Sequence, residues 1–442
     1  MSLPTPCSTL QKLQMALYAK AKAEPSYRFY PLWDKICRTD VLAEAYRRCR
    51  HNDGAAGVDT ITFEAIETQG AEQWLDQLRE ELRKKEYRAQ PLRRVWIPKS
   101  NGGQRPLGIP TIRDRVVQMA VALIINPIFE ADLQPEQFGF RPKADAKMAV
   151  RQAFFHVAQR GLSEVVDADL SDYFNTLPHG ALTKCLSRRI ADGQVLAVIK
   201  QWLRAPVEEQ MEQGVVRTTD AADKCRGVPQ GGNISPLMAN LYFRRFLLAW
   251  KQFGIGERLK ARVVNYADDL VICCPPGKGE MALAALRVLM TKLGLTVNEK
   301  KTRLAKLPGE SFDFLGYTVG RLHGKEGRPY FGTRPSRKAV AKLLRRVHDE
   351  TSSQWDASTP EIRVAVLNPV LRGWCNYFDQ GPVLRVYRLI RQYTERRIRR
   401  WLMRRSKRRG TGYRQYPDRY LYETLGLFNP PEQRKGLLNA KA

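Results

Sequence analysis

Residues 263–272, VVNYADDLVI, set two adjacent carboxylates between two apolar runs. The apolar pairs on either side predict two buried strands joined by a tight turn. Asp268 and Asp269 would stand in that turn, where their charges repel each other unless a cation offsets them. Aspartate is also a common turn former, so the doublet alone leaves both a metal site and an ordinary turn open.

A third carboxylate follows another short apolar strand earlier in the chain. Residues 165–170, VVDADL, bring Asp169 to the end of a predicted strand, 99 residues before Asp268. Three carboxylates from two strands can meet at one edge of a sheet. Hard divalent cations prefer oxygen ligands, and two Mg²⁺ ions roughly 3.5–4 Å apart can activate a hydroxyl and stabilise a leaving pyrophosphate. The pattern therefore indicates nucleotidyl transfer.

Further sequence blocks surround these acids in the order found in one enzyme family. In chain order they are NDGAAGVD (52–59), IPK (97–99) with RPLGIP (105–110), QFGFRP (137–142), DLSDYF (169–174), GVPQGG (227–232), YADD (266–269), LTVNEKKT (295–302) and FLGY (314–317). Together they resemble a group II intron-encoded reverse transcriptase/maturase of the bacterial, endonuclease-lacking type.

The resemblance implies an α+β fold of the right-hand polymerase kind, with fingers, a palm and an α-helical maturase thumb. The palm would carry an antiparallel catalytic sheet backed by helices. A length of 442 residues suits several such subdomains. The expected boundaries are an N-terminal helical extension over 1–50, fingers with the N-terminal extension block over 51–165, a palm over 166–322, a Gly-rich linker over 323–335 and a helical thumb, or maturase (X) domain, over 336–442.

The resemblance also assigns the catalytic roles. Asp169, Asp268 and Asp269 would be the catalytic carboxylates and would hold two Mg²⁺ ions, with Mn²⁺ as a substitute. The backbone carbonyl of Leu170 would be a further metal ligand. The cofactor expected for this chain is therefore a pair of divalent ions.

Two parts of the chain are expected to enclose the sugar and triphosphate of the incoming deoxynucleotide. Phe174 lies where the family has an aromatic wall against the sugar 2′ position, which would exclude ribonucleotides by sterics. Simple packing in the palm is the alternative for this ring. Lys99 and Arg105 flank a Gly102-Gly103 turn, so a hairpin would fold both cations over the triphosphate.

Two more residues complete the predicted nucleotide site. Gln230 resembles the residue that supports the nucleotide, and the glycines after it let the backbone come close. Lys301 occupies the family position near the leaving pyrophosphate, where a lysine would serve as a proton donor. An ordinary surface lysine in a Lys-rich turn is the alternative for Lys301.

The composition favours a polynucleotide partner. The chain has 74 Lys and Arg against 45 Asp and Glu, a net charge of +29 that suits phosphate neutralisation. Residues 325–442 alone hold 27 Lys and Arg against 10 Asp and Glu, a net charge of +17. An apolar helical stripe there is formed by Leu384, Tyr387, Ile390, Ile398, Trp401 and Leu402. The arginines expected to meet nucleic acid are Arg396, Arg397, Arg399 and Arg400; a solvated basic helix without a ligand is the alternative.

Residues 367–378, LNPVLRGWCNYF, resemble the signature of the maturase thumb, which helps to hold intron RNA in this family. Trp374, Tyr377 and Phe378 have i, i+3, i+4 spacing, which predicts that they face the core, with base stacking as the alternative. Arg372 in this signature, and Arg141 in the QFGFRP block, are the expected nucleic-acid contacts.

Several other kinds of site are not expected. The eight cysteines show no paired metal-ligand spacing, and Cys273-Cys274 lie in an apolar strand where small hydrophobes pack. We therefore expect neither a zinc site nor the zinc-supported nuclease that many relatives carry. The longest apolar run, residues 119–125, is short for a membrane span. We expect a bacterial cytoplasmic protein without a membrane partner, associated with the nucleoid when it acts on DNA.

The sequence thus predicts an RNA-directed DNA polymerase with maturase activity that aids splicing and retrohoming of a group II intron. The expected partners are intron RNA, an RNA template with a DNA primer or target DNA, and dNTPs; the oligomeric state is not fixed. One alternative is a domesticated relative in DNA repair, CRISPR spacer acquisition or phage defence. Another is an RNA-binding splicing factor without polymerase activity, which the three intact aspartates oppose.

Overall fold

Helices form most of the first and last parts of the chain. The computed structural model describes residues 8–98, 103–324 and 326–430. Side-chain caps begin several helices, as when the hydroxyl of Ser8 accepts a hydrogen bond from the amide of Gln11. The helices are α1 (Thr9–Ala23), α2 (Trp33–Ile36), α3 (Thr39–His51), α4 (Phe63–Gln69), α5 (Ala71–Arg83), α6 (Ile112–Glu130), α7 (Ala146–Ala158), α8 (Tyr173–Thr176), α9 (His179–Ser187), α10 (Gly193–Arg204), α11 (Asp220–Asp223), α12 (Ser235–Gln252), α13 (Ile255–Arg258), α14 (Gly279–Lys292), α15 (Arg337–Glu350), α16 (Pro360–Tyr377) and α17 (Leu384–Arg405).

Three sheets lie between these helices in the described ranges. The strands are β1 (Leu92–Pro98), β2 (Gln104–Ile109), β3 (Glu164–Asp169), β4 (Val207–Met211), β5 (Gly214–Thr218), β6 (Arg262–Tyr266), β7 (Asp269–Cys274), β8 (Arg303–Lys306), β9 (Ser311–Phe314), β10 (Tyr317–His323) and β11 (Pro329–Pro335). The fingers sheet has the order β2-β1-β4-β5, and its β1–β2 hairpin is the one that the glycine pair predicted.

The palm sheet has the order β6-β7-β3-β8 with every neighbour antiparallel. Side chains alternate between its two faces along each strand. Val166 and Ala168 share one core with residues of α12 and α14, whereas Val165 joins a second core with α7. Helices therefore cover both faces of the sheet. The α+β architecture with fingers, palm and helical thumb is as expected.

The third sheet corrects one predicted boundary. Residues 323–335, expected as a linker, contain β11, which pairs with β10 along its whole length from Tyr317↔Pro335 to His323↔Pro329. Tyr330 and Phe331 favour extended backbone, and Gly327 takes a positive φ of 76° that closes the turn between the strands. The glycines that suggested a linker therefore make a hairpin.

The thumb helices α15, α16 and α17 pack around buried Leu343, Leu367 and Ile390. This core is joined to the third sheet, because the hydroxyl of Tyr377 donates to the carbonyl of Leu315 at 2.8 Å. It is also joined to α7, because Lys147 Nζ lies 3.2 Å from the Asp379 carboxylate. Within the described part of the chain, none of the helices has the length and apolar character needed to cross a membrane.

Candidate active site

The turn that carries the aspartate doublet is fixed by a buried asparagine and a close glycine. Asn265 is fully buried on β6, and its side-chain amide donates to the carbonyls of Ala267 at 2.8 Å and Asp269 at 3.2 Å. Ala267 takes a positive φ of 57°. A Cβ atom on Gly139 would lie 2.5 Å from the amide nitrogen of Ala267, so only glycine lets the QFGFRP block pack against this turn. The hairpin between β6 and β7 is the one predicted.

The strand register brings the separate carboxylates together. Asp169, the last residue of β3, pairs with Asp269, the first residue of β7. Directly opposed residues of an antiparallel pair have Cβ atoms about 4.5–5.5 Å apart and share a face. Asp268 precedes Asp269 in the turn. Three acids from distant parts of the sequence therefore meet at one end of the sheet.

Desolvation and nearby like charge raise the pKa of Asp269 and of a neighbouring acid on β3. Asp269 is exposed on the surface, yet the surrounding protein partly desolvates its carboxylate, and the charges of Asp268 and Asp169 add to this effect, raising its pKa to about 7. Asp167, two residues before Asp169 on β3, is a fourth acid, and desolvation raises its pKa to about 6 although Arg303 Nε lies 3.3 Å away. Sequence reasoning did not single out Asp167.

The LTVNEKKT block holds the carboxylate of Asp169. Asn298 Nδ2 donates to Asp169 Oδ2 at 3.0 Å, and Lys301 Nζ lies 3.0 Å from the same oxygen. The hydroxyl of Thr302 accepts from the amide of Asp169 at 3.3 Å. Lys301 was a predicted site residue, whereas Asn298 and Thr302 were overlooked even though the same block contains both.

The donor set suits a hard divalent cation. Carboxylate oxygens are preferred ligands of such ions, and a cation would offset the desolvation and the repulsion that together raise the pKa of Asp269. Among the described residues, however, no group of three His, Cys, Asp or Glu side chains converges in a ready metal-binding arrangement. Asp169 Oδ2 instead meets the ammonium group of Lys301. The chemistry of the donor set thus suits a hard divalent cation, while one oxygen of Asp169 is engaged by Lys301.

The backbone at Leu170 is consistent with its predicted role. Leu170 forms an isolated antiparallel bridge with Val297. The bonds of this bridge are made by the carbonyl of Asp169, which accepts from the amide of Asn298 at 2.8 Å, and by the amide of Ser171. The carbonyl of Leu170 takes no part in them. It stays a predicted metal ligand.

Fingers and palm meet at the predicted nucleotide site. Arg105 Nε donates to Gln230 Oε1 at 2.6 Å, and the amide of Gly108 donates to the carbonyl of Gln230 at 2.9 Å. Gly231 has a positive φ of 121°, and a Cβ there would lie 2.9 Å from the carbonyl oxygen of Gly108. The loop therefore requires glycine to approach β2. Lys99 lies outside the described residues.

Phe174 is next to this loop. Its carbonyl accepts from the amide of Val228 at 2.8 Å, and its ring meets that of Tyr173 edge to face with centroids 5.8 Å apart. Only 9% of Phe174 is exposed. The side chain is thus fixed by palm packing, and its action on the sugar stays a prediction.

The four thumb arginines predicted to meet nucleic acid have different surroundings. Arg399 is fully buried; it donates from Nε to the carbonyl of Tyr416 at 2.8 Å and forms an ion pair with Asp418. Arg397 is half-buried and bonds to Thr351 Oγ1 at 3.0 Å. Both side chains serve the thumb core, and Arg399 has no surface to offer a ligand, so the prediction for it is wrong. The exposed side chains are those of Arg396 and Arg400.

The two remaining predicted nucleic-acid contacts also differ. Arg141 forms a partly buried ion pair with Glu130 and donates to the carbonyls of Gln134 and Gln137 at 2.9 and 2.8 Å. It therefore braces the QFGFRP loop and is already satisfied. Arg372 is exposed, with its guanidinium 5.5 Å from the ring centroid of Phe428. It stays a predicted contact.

The aromatic residues of the thumb signature pack as large core residues, and Cys273 and Cys274 pack as small ones. Phe378 is buried, with its ring centroid 4.5 Å from that of Trp374 and 5.0 Å from that of Tyr317. The prediction that these aromatics face the core is confirmed. Cys273 and Cys274 are completely buried in β7, as the apolar run predicted.

Comparison with known families and proteins shows which family the chain belongs to. Residues 97–319 match the reverse transcriptase (RNA-dependent DNA polymerase) family, and residues 340–420 match the group II intron maturase-specific domain. Protein YkfC of Escherichia coli (strain K12) is 31% identical over 355 residues, which cover 72% of this chain and 90% of YkfC. A solved structure of Candida albicans telomerase with a fragment of telomeric RNA is 12% identical, with a TM-score of 0.44 and coverage of 78% of this chain and 67% of that one.

Intron-encoded proteins are also similar to this chain. The group II intron-encoded protein LtrA of Lactococcus lactis subsp. cremoris is 29% identical over 229 residues, which cover 50% of this chain and 36% of LtrA. An uncharacterized 91 kDa protein in the cob intron of Schizosaccharomyces pombe is 23% identical over 423 residues, which cover 78% of this chain and 50% of that protein. This chain thus spans half or less of these two relatives. It belongs to the group II intron type of reverse transcriptases, RNA-directed DNA polymerases that carry a maturase domain.

Proposed function

We propose that this chain copies RNA into DNA at Asp169, Asp268 and Asp269, with two Mg²⁺ ions as cofactor and dNTPs as substrates. The observation that carries the proposal is the register of β3 and β7, which sets Asp169 opposite Asp269. The raised pKa of Asp269 supports it, because crowded carboxylates attract a cation. When bound, the ions would supply an activated primer hydroxyl and charge stabilisation at the leaving pyrophosphate.

The chain's own residues would position the nucleotide, select its sugar and hold a proton for the leaving group. Arg105 and Gln230, already hydrogen-bonded to each other, would bind the triphosphate and the base-paired nucleotide from the fingers side. Phe174 would exclude a 2′-hydroxyl from the sugar subsite. Lys301, released from Asp169, would hold a proton for the leaving pyrophosphate.

Two features of the thumb favour an intron RNA as its partner. Its domain match covers residues 340–420, and its exposed arginines include Arg372, Arg396 and Arg400. Exposed cations on a folded helical domain neutralise backbone phosphates and release counterions. We propose that this surface binds group II intron RNA and aids splicing, while the palm copies an RNA template from a DNA primer or target DNA.

Primer extension on poly(rA)/oligo(dT) with dTTP tests the proposal. We expect extension with Mg²⁺ or Mn²⁺ and none with a chelator. The Asp169→Asn variant should lose extension but retain RNA binding, since one carboxylate serves the chemistry and not the thumb. A wild-type chain that binds RNA and never extends the primer would instead be a splicing factor without polymerase activity.

A further inference from the structure

A basic cavity lies on the helical side of the palm, outside the active site. It has a volume of about 360 Å³ and is bounded by α9, α12 and the segment after α6. The described residues that line it include five cations, Lys184, Arg188, Arg189, Arg244 and Arg245, and one carboxylate, Asp132. Such an excess of like charge in one concave site favours an anionic ligand.

The catalytic carboxylates point away from this cavity. Val166 and Ala168 on β3 pack into the core that contains Leu241 of α12, and Leu241 also lines the cavity. Because strand side chains alternate, Asp169 projects from the opposite face of the sheet. A ligand in the cavity would therefore not enter the cleft where primer and nucleotide meet.

The cations are only partly compensated by the protein. Arg189 is 2% exposed and largely compensated: it pairs with Asp132, and its terminal nitrogens donate to the carbonyls of Ala21, Glu24 and Tyr27, so that only its Nε lacks a hydrogen-bond acceptor in proper geometry. Arg244 Nε donates to the backbone carbonyl of Asp132 at 2.7 Å and forms no ion pair in the described part of the chain. Arg188 and Lys184 are exposed at the rim, likewise without an ion pair among described residues. The cations left for a ligand are therefore Lys184 and Arg188 at the rim and the partly buried Arg244 and Arg245.

The lining also contains features that suit a sugar-phosphate strand. Pro25, Phe129 and Leu248 provide an apolar wall beside the cations. Asp132 would repel a phosphate, but a carboxylate is an acceptor for a hydroxyl group. A ribose 2′-hydroxyl could donate to Asp132 while the adjoining phosphates meet the arginines, and this hydroxyl is what separates RNA from DNA.

We propose that this cavity is an additional RNA site, distinct from the thumb surface and from the template cleft, which takes a phosphate-bearing stretch of an RNA strand on the face of the palm opposite the active site. The inference rests on the proposed function only in taking RNA as the partner. It implies that RNA can be held at the palm by contacts that polymerisation does not use.

The test compares two triple variants of the full chain. Lys184→Gln/Arg188→Gln/Arg245→Gln removes three cations of the cavity. Lys200→Gln/Arg258→Gln/Lys260→Gln removes three exposed cations that do not line it. The probe is a fluorescein-labelled single-stranded 20-nucleotide RNA of mixed sequence, with DNA of the same sequence as comparison. Binding is measured by anisotropy over a range of salt concentrations, and thermal melting checks that both variants fold.

We expect the cavity variant to lose roughly 10-fold or more in RNA affinity and about 2 in the log–log salt slope, and the control variant to lose much less. The loss should be smaller for the DNA probe. Extension of saturating poly(rA)/oligo(dT) should be unchanged in both variants. Equal losses in the two variants, or equal losses for RNA and DNA, would overturn the proposal.

A further measurement distinguishes binding of RNA in the cavity from binding of a free polyphosphate. If tripolyphosphate raises the melting temperature of the wild type but not of the cavity variant, while RNA affinity is the same in both, the cavity binds free polyphosphate and the RNA assignment is wrong. Failure of the wild type to extend primers would reject the polymerase proposal, whatever the two triple variants show in RNA binding.

Discussion

In the palm, neighbouring charged residues lie together at one end of the sheet, whereas in the thumb neighbouring charged residues have opposite surroundings. Asp268 and Asp269 are adjacent in a turn and stand together with Asp169. Arg399 and Arg400 are adjacent on α17, yet Arg399 is fully buried and Arg400 is exposed. A turn between paired strands fixes where both side chains go, while successive positions on a helix point about 100° apart. In the palm, the position of each charged residue in the sequence therefore predicts where its side chain lies. In the thumb, that prediction needs the faces of the helix to be known first.

The largest expected effect lies in the palm. Asp268→Asn should reduce primer extension by about 10³-fold or more, because it removes one member of a group that acts as a unit. RNA affinity should stay within about twofold of the wild type, since the thumb is untouched. Steady-state extension and RNA anisotropy measure the two effects. Asp76→Asn on the surface of α5 is the matched control, and a parallel loss of both activities in Asp268→Asn would erase the distinction between palm and thumb.

Within the thumb, Arg399→Gln should act on stability. Arg399 is fully buried whereas its partner Asp418 is 55% exposed, so the main loss is the buried hydrogen bond to the carbonyl of Tyr416 together with the packing of the guanidinium. Leaving such a buried acceptor without its donor costs about 1–3 kcal/mol, and the midpoint of chemical denaturation should fall accordingly. Arg400→Gln, one position along the same helix, should leave the free energy of unfolding within about 0.5 kcal/mol of the wild type. Similar stability of the two variants would show that Arg399 is not the core residue described above.

The exposed thumb arginines should act on binding. Arg396→Gln/Arg400→Gln is expected to lower the log–log salt slope of RNA binding by about 2, because two phosphate contacts are lost. Extension at saturating template should not change. Arg397→Gln is the control, since its guanidinium bonds to Thr351 within the thumb. An unchanged slope in the double variant would move the RNA surface to another part of the molecule.

The smallest effect concerns the pH dependence of stability without divalent metal. The folded-state pKa of Asp269 is raised to about 7, so its favourable contribution is complete at low pH and is lost as pH rises through that value. In chelator, the melting temperature of the wild type should therefore fall between about pH 5 and pH 8 more than that of Asp269→Asn. Asp76→Asn should follow the wild type. Identical pH profiles for Asp269→Asn and the wild type would contradict the crowding of carboxylates.

Much of the palm could be predicted from the sequence, because its determinants are local. Short apolar runs and a turn doublet predict β3, β6 and β7, and Asp169, Asp268 and Asp269 stand at the ends of these runs. The hydrogen bonds of Asn298 and Thr302 to Asp169 were not predicted, because pairing between segments 129 and 133 residues apart depends on register. Burial of Arg399 was not predicted either, since it depends on Tyr416 and Asp418, which lie beyond the end of α17.

The attachment of the thumb to the rest of the molecule bears on how its roles can be separated. Tyr377 and Phe378 contact the hairpin that follows the palm, and Lys147 of α7 meets Asp379. A chain truncated after β11 would uncover the ring of Tyr317, which is fully buried in the intact molecule. Such a fragment would expose an apolar aromatic patch to solvent, and exposed patches of this kind promote self-association. Copying and RNA binding should therefore be separated in this enzyme by replacing single side chains, because deletion of the thumb would disturb the packing of the palm side of this contact, and deletion of the palm would disturb that of the thumb.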